Sequence, residues 1–286
     1  MAKLKNLMAC AANRLQEAGG LELAEVRIEI RALMQHCLGD VNHAWLIAHG
    51  DDVVTDELRL LFETLLARRI QGEPIAHILG RREFYGREFL VTHDTLIPRP
   101  DTEILVETAL ERIPADQSCN ILDLGTGTGA IGITLALERP LANVTVLDYS
   151  EAALAVAKEN AQQLSAHNVT ALHSDWFSSV HNQRFDIIVS NPPYIETADP
   201  HLQQGDLRFE PMSALASGAD GLDDIRKIVA NAPDYLRAKG WLIIEHGYNQ
   251  GSAVRSIFST HRFTAIHTVQ DLAGHERVTL GQVTAP

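Results

Sequence analysis

The tetrapeptide Asn191-Pro192-Pro193-Tyr194 follows an apolar run at 185–190 that predicts a short buried strand. The side-chain oxygen of Asn191 and a nearby backbone carbonyl are acceptors for the two N–H groups of a planar –NH2 group. Two prolines fix φ and restrict the residue before each of them, which holds that carbonyl in place. Tyr194 offers a flat face to a planar π system. The pattern predicts a site that directs an –NH2 nitrogen at an electrophile; the alternative is an ordinary strand-ending turn.

A glycine loop, Gly125-Thr126-Gly127-Thr128-Gly129, follows a second apolar strand and precedes a helix start. The glycines let the backbone approach a ligand closely, and the helix N-terminus favours a carboxylate. Asp148 ends the next strand about 20 residues later, where α/β folds place a carboxylate on ribose hydroxyls. An NAD site can be built in this way. However, Asp123 lies two residues before the first glycine, and this G-x-G-x-G spacing resembles the S-adenosylmethionine loop of Rossmann-like methyltransferases.

Asp175 and Trp176 follow the apolar run 169–172, which we expect to be the third strand of the same sheet. In that position Asp175 can accept a hydrogen bond from an adenine amino group, and Trp176 can cover the ring face. The alternative is a helix-capping aspartate and a core tryptophan. The cofactor context favours the adenine role.

Composition limits the possible functions and locations. A net charge of −13 argues against broad binding to nucleic acid through its phosphates, so we expect no stable nucleic-acid partner. The three cysteines are widely spaced and the histidines lack ligand spacing, which predicts a reducing compartment and no metal site. No signal peptide and no apolar run of about 18 residues are present. We therefore expect a cytoplasmic protein without a membrane span.

The chain divides into three predicted segments. Residues 1–75 show helical periodicity and predict a helical bundle, which we interpret as a substrate-recognition domain; a lid or a purely structural cap is the alternative. Residues 76–97 are predicted to form a β-hairpin linker with Gly86 in its turn. Residues 98–286 form the methyltransferase domain, in which Asp101 is a plausible helix N-cap. The predicted fold class is α/β, with a doubly wound, mostly parallel sheet and an antiparallel edge. The predicted parallel strands lie at 120–124, 144–148, 169–172, 186–190 and 241–245.

The order of motifs along the whole chain resembles that of the protein-glutamine N5-methyltransferases that act on peptide chain release factors. The motifs are G-E-P-x-x-H-I-x-G (72–80), F-Y-G (84–86), I-P-R-P-D-T-E (97–103), D-L-G-T-G-T-G (123–129), D-W-F (175–177), S-N-P-P-Y-I (190–195), R-F-E-P (208–211) and E-H-G-x-x-Q-G (245–251).

The resemblance implies a helical bundle, a hairpin linker and a Rossmann-like domain. It also implies that Gly125–Gly129, Asp148 and Trp176 bind S-adenosylmethionine, which is released as S-adenosylhomocysteine. Asn191 would contact both ligands, and Asn191–Tyr194 would hold the glutamine of a Gly-Gly-Gln motif in the release factor. Because no strong base is visible near this turn, positioning must carry the catalysis.

Three other functions stay open at this point. One is a glutamine methyltransferase for a ribosomal protein, and another is an amino-methyltransferase for adenine or guanine in nucleic acid. The third is a non-enzymatic scaffold that binds S-adenosylmethionine. Since one active site per chain needs no second subunit, we expect a monomer.

Overall fold

The computed structural model of the chain describes residues 2–19 and 21–284. Its contacts divide the chain into two compact units, with the division after Gly80. The short helix at Ile75–Leu79 therefore belongs to the first unit, and the hairpin belongs to the second. The assignment of separate roles to 1–75, 76–97 and 98–286 stays a prediction.

The first unit consists of helices packed around one apolar core, which includes Val26, Ile30, Leu33 and Met34. The fourth helix begins after Thr55, whose side chain caps it by accepting a 3.2 Å hydrogen bond from the backbone nitrogen of Leu58. The helices are α1 (Leu4–Gly19), α2 (Leu23–Cys37), α3 (His43–Ala48), α4 (Asp56–Ile70) and α5 (Ile75–Leu79).

The second unit begins with the predicted hairpin, formed by β1 (Arg81–Phe84) and β2 (Arg87–Leu90). Tyr85 and Gly86 both have positive φ, as a two-residue type I′ turn requires. The prediction that Asp101 caps a helix is wrong. Asp101 lies inside a 3₁₀ turn, Pro100–Thr102, and its carboxylate pairs with Arg277 at 2.9 Å.

A seven-stranded sheet forms the centre of this unit, in the order β5-β4-β3-β6-β7-β9-β8. The strands β3 to β7 are parallel, and β8 and β9 form the antiparallel edge, as predicted. The strands are β3 (Asn120–Leu124), β4 (Asn143–Asp148), β5 (Val169–His173), β6 (Phe185–Ser190), β7 (Leu236–Glu245), β8 (Phe263–Gln270) and β9 (Glu276–Val283).

Alternate strand residues point to opposite faces of the sheet, and each face has its own core. Ile121 and Ile187 belong to one apolar cluster, whereas Leu122 and Ile188 belong to the other. The helices of this unit are α6 (Glu103–Leu110), α7 (Ala130–Glu138), α8 (Glu151–Gln163), α9 (Met212–Leu215), α10 (Asp223–Asn231) and α11 (Gly251–Ser259). In the described ranges, no helix combines the length and the apolar character needed to cross a membrane.

The chain changes direction across the sheet between β3 and β6. It runs outward from β3 through β4 to β5 and then returns to the other side of β3 as β6. Leu124 and Ser190 are paired at the carboxyl ends of these neighbouring strands. Gly125 and Asn191, the next residues, therefore start their loops side by side. Ligands of open α/β sheets bind at such a switch point.

Candidate active site

A cavity of about 630 Å³ opens at the carboxyl ends of the parallel strands. It is lined by residues of both predicted motifs, so the fold brings the glycine loop and Asn191 into one site. Its walls include Gly125, Thr126, Gly127, Thr128, Asp148, Asp175, Trp176, Asn191, Pro193, Thr102, Arg99, Glu210 and Phe209.

The glycine loop is fixed from below by Asp123, which is fully buried at the end of β3. Its Oδ2 atom accepts hydrogen bonds from Thr126 Oγ1 at 2.6 Å and from the Gly132 nitrogen at 3.0 Å. Its Oδ1 atom has no hydrogen-bond partner among the residues that the structure describes. Burial raises the pKa of Asp123 to about 6, against the lowering effect of these hydrogen bonds.

Asp148 fixes the same loop from the side, at the end of β4. Its Oδ2 atom accepts a 2.8 Å hydrogen bond from the Gly127 nitrogen, and Oδ1 accepts one from the Ser150 nitrogen at the start of α8. Burial raises the pKa of Asp148, while these backbone hydrogen bonds lower it. Each oxygen of an ionised carboxylate has a second lone pair, which a ligand hydroxyl can use.

The backbone of the loop has the shape of a ligand cradle. Gly125, Gly127 and Gly129 all have positive φ, a conformation that strains other residues. A Cβ atom at Gly127 would meet no protein atom within 4 Å, whereas one at Gly129 would lie 2.4 Å from Ile133 Cδ1. Gly127 therefore keeps space open for a ligand beside the N-terminus of α7. Gly129 instead permits close packing at the helix start and does not line the cavity.

Trp176 and Asp175 follow β5 and line the same cavity. Trp176 is half-buried with a φ of 46°, and its ring would be 3.8 Å from a Cβ atom at Gly125. Asp175 is exposed at the cavity wall, and the residues that follow it form turns rather than the helix that a capping aspartate would start. Both positions suit contacts with the adenine end of a cofactor.

Asn160, which sequence reasoning missed, connects the glycine loop with the hairpin. This fully buried residue of α8 donates from Nδ2 to the carbonyls of Thr128 at 2.9 Å and Leu90 at 3.0 Å. Its Oδ1 atom accepts a 2.7 Å hydrogen bond from the Leu90 nitrogen. The one signal in the sequence is an asparagine on the apolar face that Ala153 and Ala157 also occupy.

The Asn191 side chain is oriented by Thr102. Its Nδ2 atom donates a 3.3 Å hydrogen bond to Thr102 Oγ1, which leaves Oδ1 as the acceptor for a ligand N–H group. Asn191 and Pro193 line the cavity, whereas Pro192 is buried. Tyr194 packs against the apolar core beside the sheet and is not part of the cavity lining.

Glu245 is a buried carboxyl group behind this turn, at the end of β7, and it is only 2% exposed. Its Oε1 atom accepts a 3.3 Å hydrogen bond from the Tyr194 hydroxyl, and its Oε2 atom has no hydrogen-bond partner in the described part of the chain. Burial raises the pKa of Glu245 to about 7, although the hydroxyls of Thr102 and Tyr194 lower it. Glu245 is the first residue of the E-H-G-x-x-Q-G motif, but nothing in the sequence indicates its contact with Tyr194.

An ion pair closes another wall of the cavity. Arg99 Nη2 donates to both carboxylate oxygens of Glu210, at 2.9 and 2.7 Å, and Glu210 also accepts from the Ile97 nitrogen. Burial raises the pKa of Glu210, and the Arg99 charge opposes that rise. The pair joins the segment before α6 to the segment before α9, two motifs that are far apart in the sequence.

Two family models match the chain. The model described as "PrmC N-terminal domain" matches residues 6–80, and "Methyltransferase small domain" matches residues 100–206. A methyltransferase from Pyrococcus furiosus has a similar fold, with a TM-score of 0.54 at 17% identity over 78% of this chain and 100% of that one.

Two relatives are similar over nearly their whole length, and both are named "Release factor glutamine methyltransferase". The protein from Pseudomonas aeruginosa is 50% identical over 90% of this chain and 92% of its own. The protein from Escherichia coli is 47% identical over the same shares of the two chains. The chain therefore belongs to the release factor glutamine methyltransferase family.

Proposed function

We propose that this protein transfers a methyl group from S-adenosylmethionine to the side-chain amide nitrogen of the glutamine in the Gly-Gly-Gln motif of peptide chain release factors. One observation carries the proposal. The glycine loop and Asn191 start at the ends of paired strands and face one cavity. A methyl donor and an amide acceptor can therefore meet there, and the names of the relatives identify the acceptor.

The cofactor side of the site is formed by Asp148, Asp175, Trp176 and the glycine loop Gly125–Gly129, of which the first four residues line the cavity. The amino-acid part of S-adenosylmethionine occupies the open space at Gly127, and the N-terminus of α7 attracts its carboxylate. Asp148 accepts hydrogen bonds from the ribose hydroxyls, and Asp175 and Trp176 contact the adenine. When bound, the cofactor supplies an electrophilic methyl group on a sulfonium sulfur and is released as S-adenosylhomocysteine.

The substrate side is formed by the turn Asn191-Pro192-Pro193-Tyr194, in which Asn191 and Pro193 line the cavity and Pro192 and Tyr194 support them from behind. Asn191 Oδ1 and a backbone carbonyl of the turn accept the two N–H groups of the glutamine amide. Because an amide nitrogen is a poor nucleophile, its lone pair must be aligned with the methyl carbon, and fixed acceptors favour the positive charge that develops on nitrogen. One amide proton leaves to water after the new N–C bond has formed.

Residues 1–75 serve in this proposal as the domain that recognises the release factor. The protein acts as a cytoplasmic monomer without a stable nucleic-acid partner. A single cavity built from residues of one chain supports the monomer, the net charge of −13 supports the lack of nucleic acid, and the location follows from the substrate.

The test is methyl transfer from labelled S-adenosylmethionine to purified release factor, to its Gly-Gly-Ala variant, to ribosomes and to DNA. The proposal requires label on release factor, none on the variant, and one methyl group on the glutamine by mass spectrometry. Label on a ribosomal protein or on nucleic acid instead would contradict the substrate assignment and leave the methyl donor unaffected.

A further inference from the structure

Tyr194 is held at both of its ends by one segment, Glu245–Gly251, which leaves the sheet at the end of β7. Glu245 accepts the hydrogen bond from its hydroxyl, as described above. At the other end, Gln250 Nε2 donates a 2.9 Å hydrogen bond to the Tyr194 backbone carbonyl. Both contacts lie outside the cavity, so neither residue is available to touch a ligand there.

The Gln250 amide is itself oriented by the backbone. Its Oε1 atom accepts a 2.8 Å hydrogen bond from the Gly247 nitrogen, and Nε2 also lies 3.4 Å from the Asp220 carbonyl oxygen. Gly221 closes the remaining side, because a Cβ atom there would be 2.2 Å from the Tyr194 oxygen and 2.8 Å from Gln250 Nε2. The carbonyl of Tyr194 is therefore tightly enclosed and has a fixed donor.

A fixed Tyr194 determines the position of Asn191. Two prolines lie between them, and proline φ angles are locked, so the turn has few internal degrees of freedom. Displacement at Tyr194 is then passed back to the Asn191 side chain and to the carbonyls of the turn. The reactive alignment of an amide nitrogen is sensitive to shifts of about 1 Å.

We propose that Gln250 and Glu245 are positioning residues for the methyl transfer. Gln250 fixes the carbonyl of Tyr194 and Glu245 fixes its hydroxyl, and together they keep Asn191 at the place where it accepts the substrate N–H group. This inference rests on the proposed function for its kinetic consequence, although its structural consequence can be measured without any substrate.

The first variant is Gln250→Glu, which keeps an acceptor for the Gly247 N–H group but replaces the donor to Tyr194 with a carboxylate oxygen. We expect kcat for release factor methylation to fall about tenfold or more, with the Kd for S-adenosylmethionine within about twofold of the wild type. Gln250→Met removes the same donor without adding charge and is expected to behave similarly. Asn249→Ala is the matched control, because Asn249 is the exposed neighbour in the same loop.

Glu245 is tested by comparing a conservative variant with an apolar one. Glu245→Gln keeps an oxygen that accepts from the Tyr194 hydroxyl, whereas Glu245→Leu does not. We expect the Gln variant to retain more of the wild-type kcat than the Leu variant at equal cofactor affinity. Equal losses in both variants, or losses that follow cofactor affinity, would refute a positioning role for Glu245.

Hydrogen exchange separates failure of this inference from failure of the proposed function. In Gln250→Glu, the amide of Ile195, which donates to the Leu215 carbonyl, should exchange faster than in the wild type, with or without an active substrate. If the wild type methylates release factor while Gln250→Glu has normal kcat and normal exchange, the inference fails and the function stands. If the wild type does not methylate release factor, the function fails and the exchange rates alone decide the inference.

Discussion

The Oδ2 atom of Asp148 lies 2.8 Å from the backbone nitrogen of Gly127 and accepts its hydrogen bond. The carboxylate that the sequence assigns to the ribose thus also holds the middle of the glycine loop. In the proposed function, Asp148 therefore couples ligand binding to the conformation of the loop through a single side chain.

Asp148→Ala is expected to weaken S-adenosylmethionine binding by roughly tenfold or more, because it removes charge-assisted hydrogen bonds to the ligand and the support of Gly127. Isothermal titration calorimetry measures this change directly. Glu151→Ala is the control, since it removes an equally charged, exposed side chain from the first turn of α8. An unchanged affinity in Asp148→Ala would exclude the ribose role.

Asn191→Ala is expected to lower kcat on the order of 10²-fold, as the loss of a hydrogen bond that acts in the transition state does, while S-adenosylmethionine still binds measurably. Thr102→Val removes the hydroxyl that orients Asn191 and should lower kcat by roughly tenfold. Thr102→Ser keeps that hydroxyl and is the matched control. Steady-state kinetics with release factor are the measurement, and near-normal turnover in Asn191→Ala would disprove its assignment.

Asn160→Ala is expected to reduce the free energy of unfolding by about 2–4 kcal/mol, because buried groups of Thr128 and Leu90 lose their hydrogen-bond partner. Denaturant titration followed by circular dichroism gives this value. Gln162→Ala, an exposed change on the same helix, should have almost no effect. A loss below about 0.5 kcal/mol in Asn160→Ala, the range of ordinary surface substitutions, would show that these bonds contribute little to stability.

Glu245 should make stability depend on pH. Its pKa in the folded protein is about 7 and its ordinary value is 4.5, so between these values the unfolded chain ionises and the folded protein does not. The contribution of Glu245 to stability is therefore present below the lower value and is lost as pH rises through the higher one. Arg277 favours the charged form and Asp101 opposes it.

Glu245→Gln lacks this dependence. The difference in unfolding free energy between Glu245→Gln and the wild type should change by roughly 3 kcal/mol, in favour of the variant, as pH rises from acidic to mildly alkaline. Denaturant titrations of both proteins across this pH range provide the comparison. Asp123 also has a raised pKa, but its effect on stability is the same in both proteins and cancels in the difference. Parallel stability curves would mean that the folded pKa of Glu245 is close to its ordinary value.

The centre of the sheet could be predicted because β3, β4 and β6 are nearly continuous apolar runs, mostly buried and followed or ended by glycine, aspartate or asparagine. Gly125 and Asn191 belonged to such endings, and the carboxyl ends of parallel strands share one edge, so their proximity followed from the pattern. The antiparallel edge was predicted from the segments 264–269 and 276–281, which follow the last parallel strand.

Contacts between distant segments could not be predicted from local patterns. Asp101 has the sequence context of a helix cap, yet Arg277 in β9 attracts its carboxylate. Asn160 lies on the apolar face of α8, but no local pattern shows that β2 packs against it. Likewise, Tyr194 was expected to present its ring to a ligand, whereas the structure shows its hydroxyl on Glu245 and its carbonyl on Gln250.

The bond between Asn160 and Leu90 has a consequence for the engineering of hybrid enzymes. Although the hairpin resembles a spacer, it supplies two of the three backbone groups that hold Asn160 beside the glycine loop. A catalytic fragment cut at residue 98 would lose them and leave the buried Asn160 amide with only the Thr128 carbonyl as a partner. Helical units exchanged among relatives should therefore be joined after Gly80, so that the hairpin always remains with its own glycine loop.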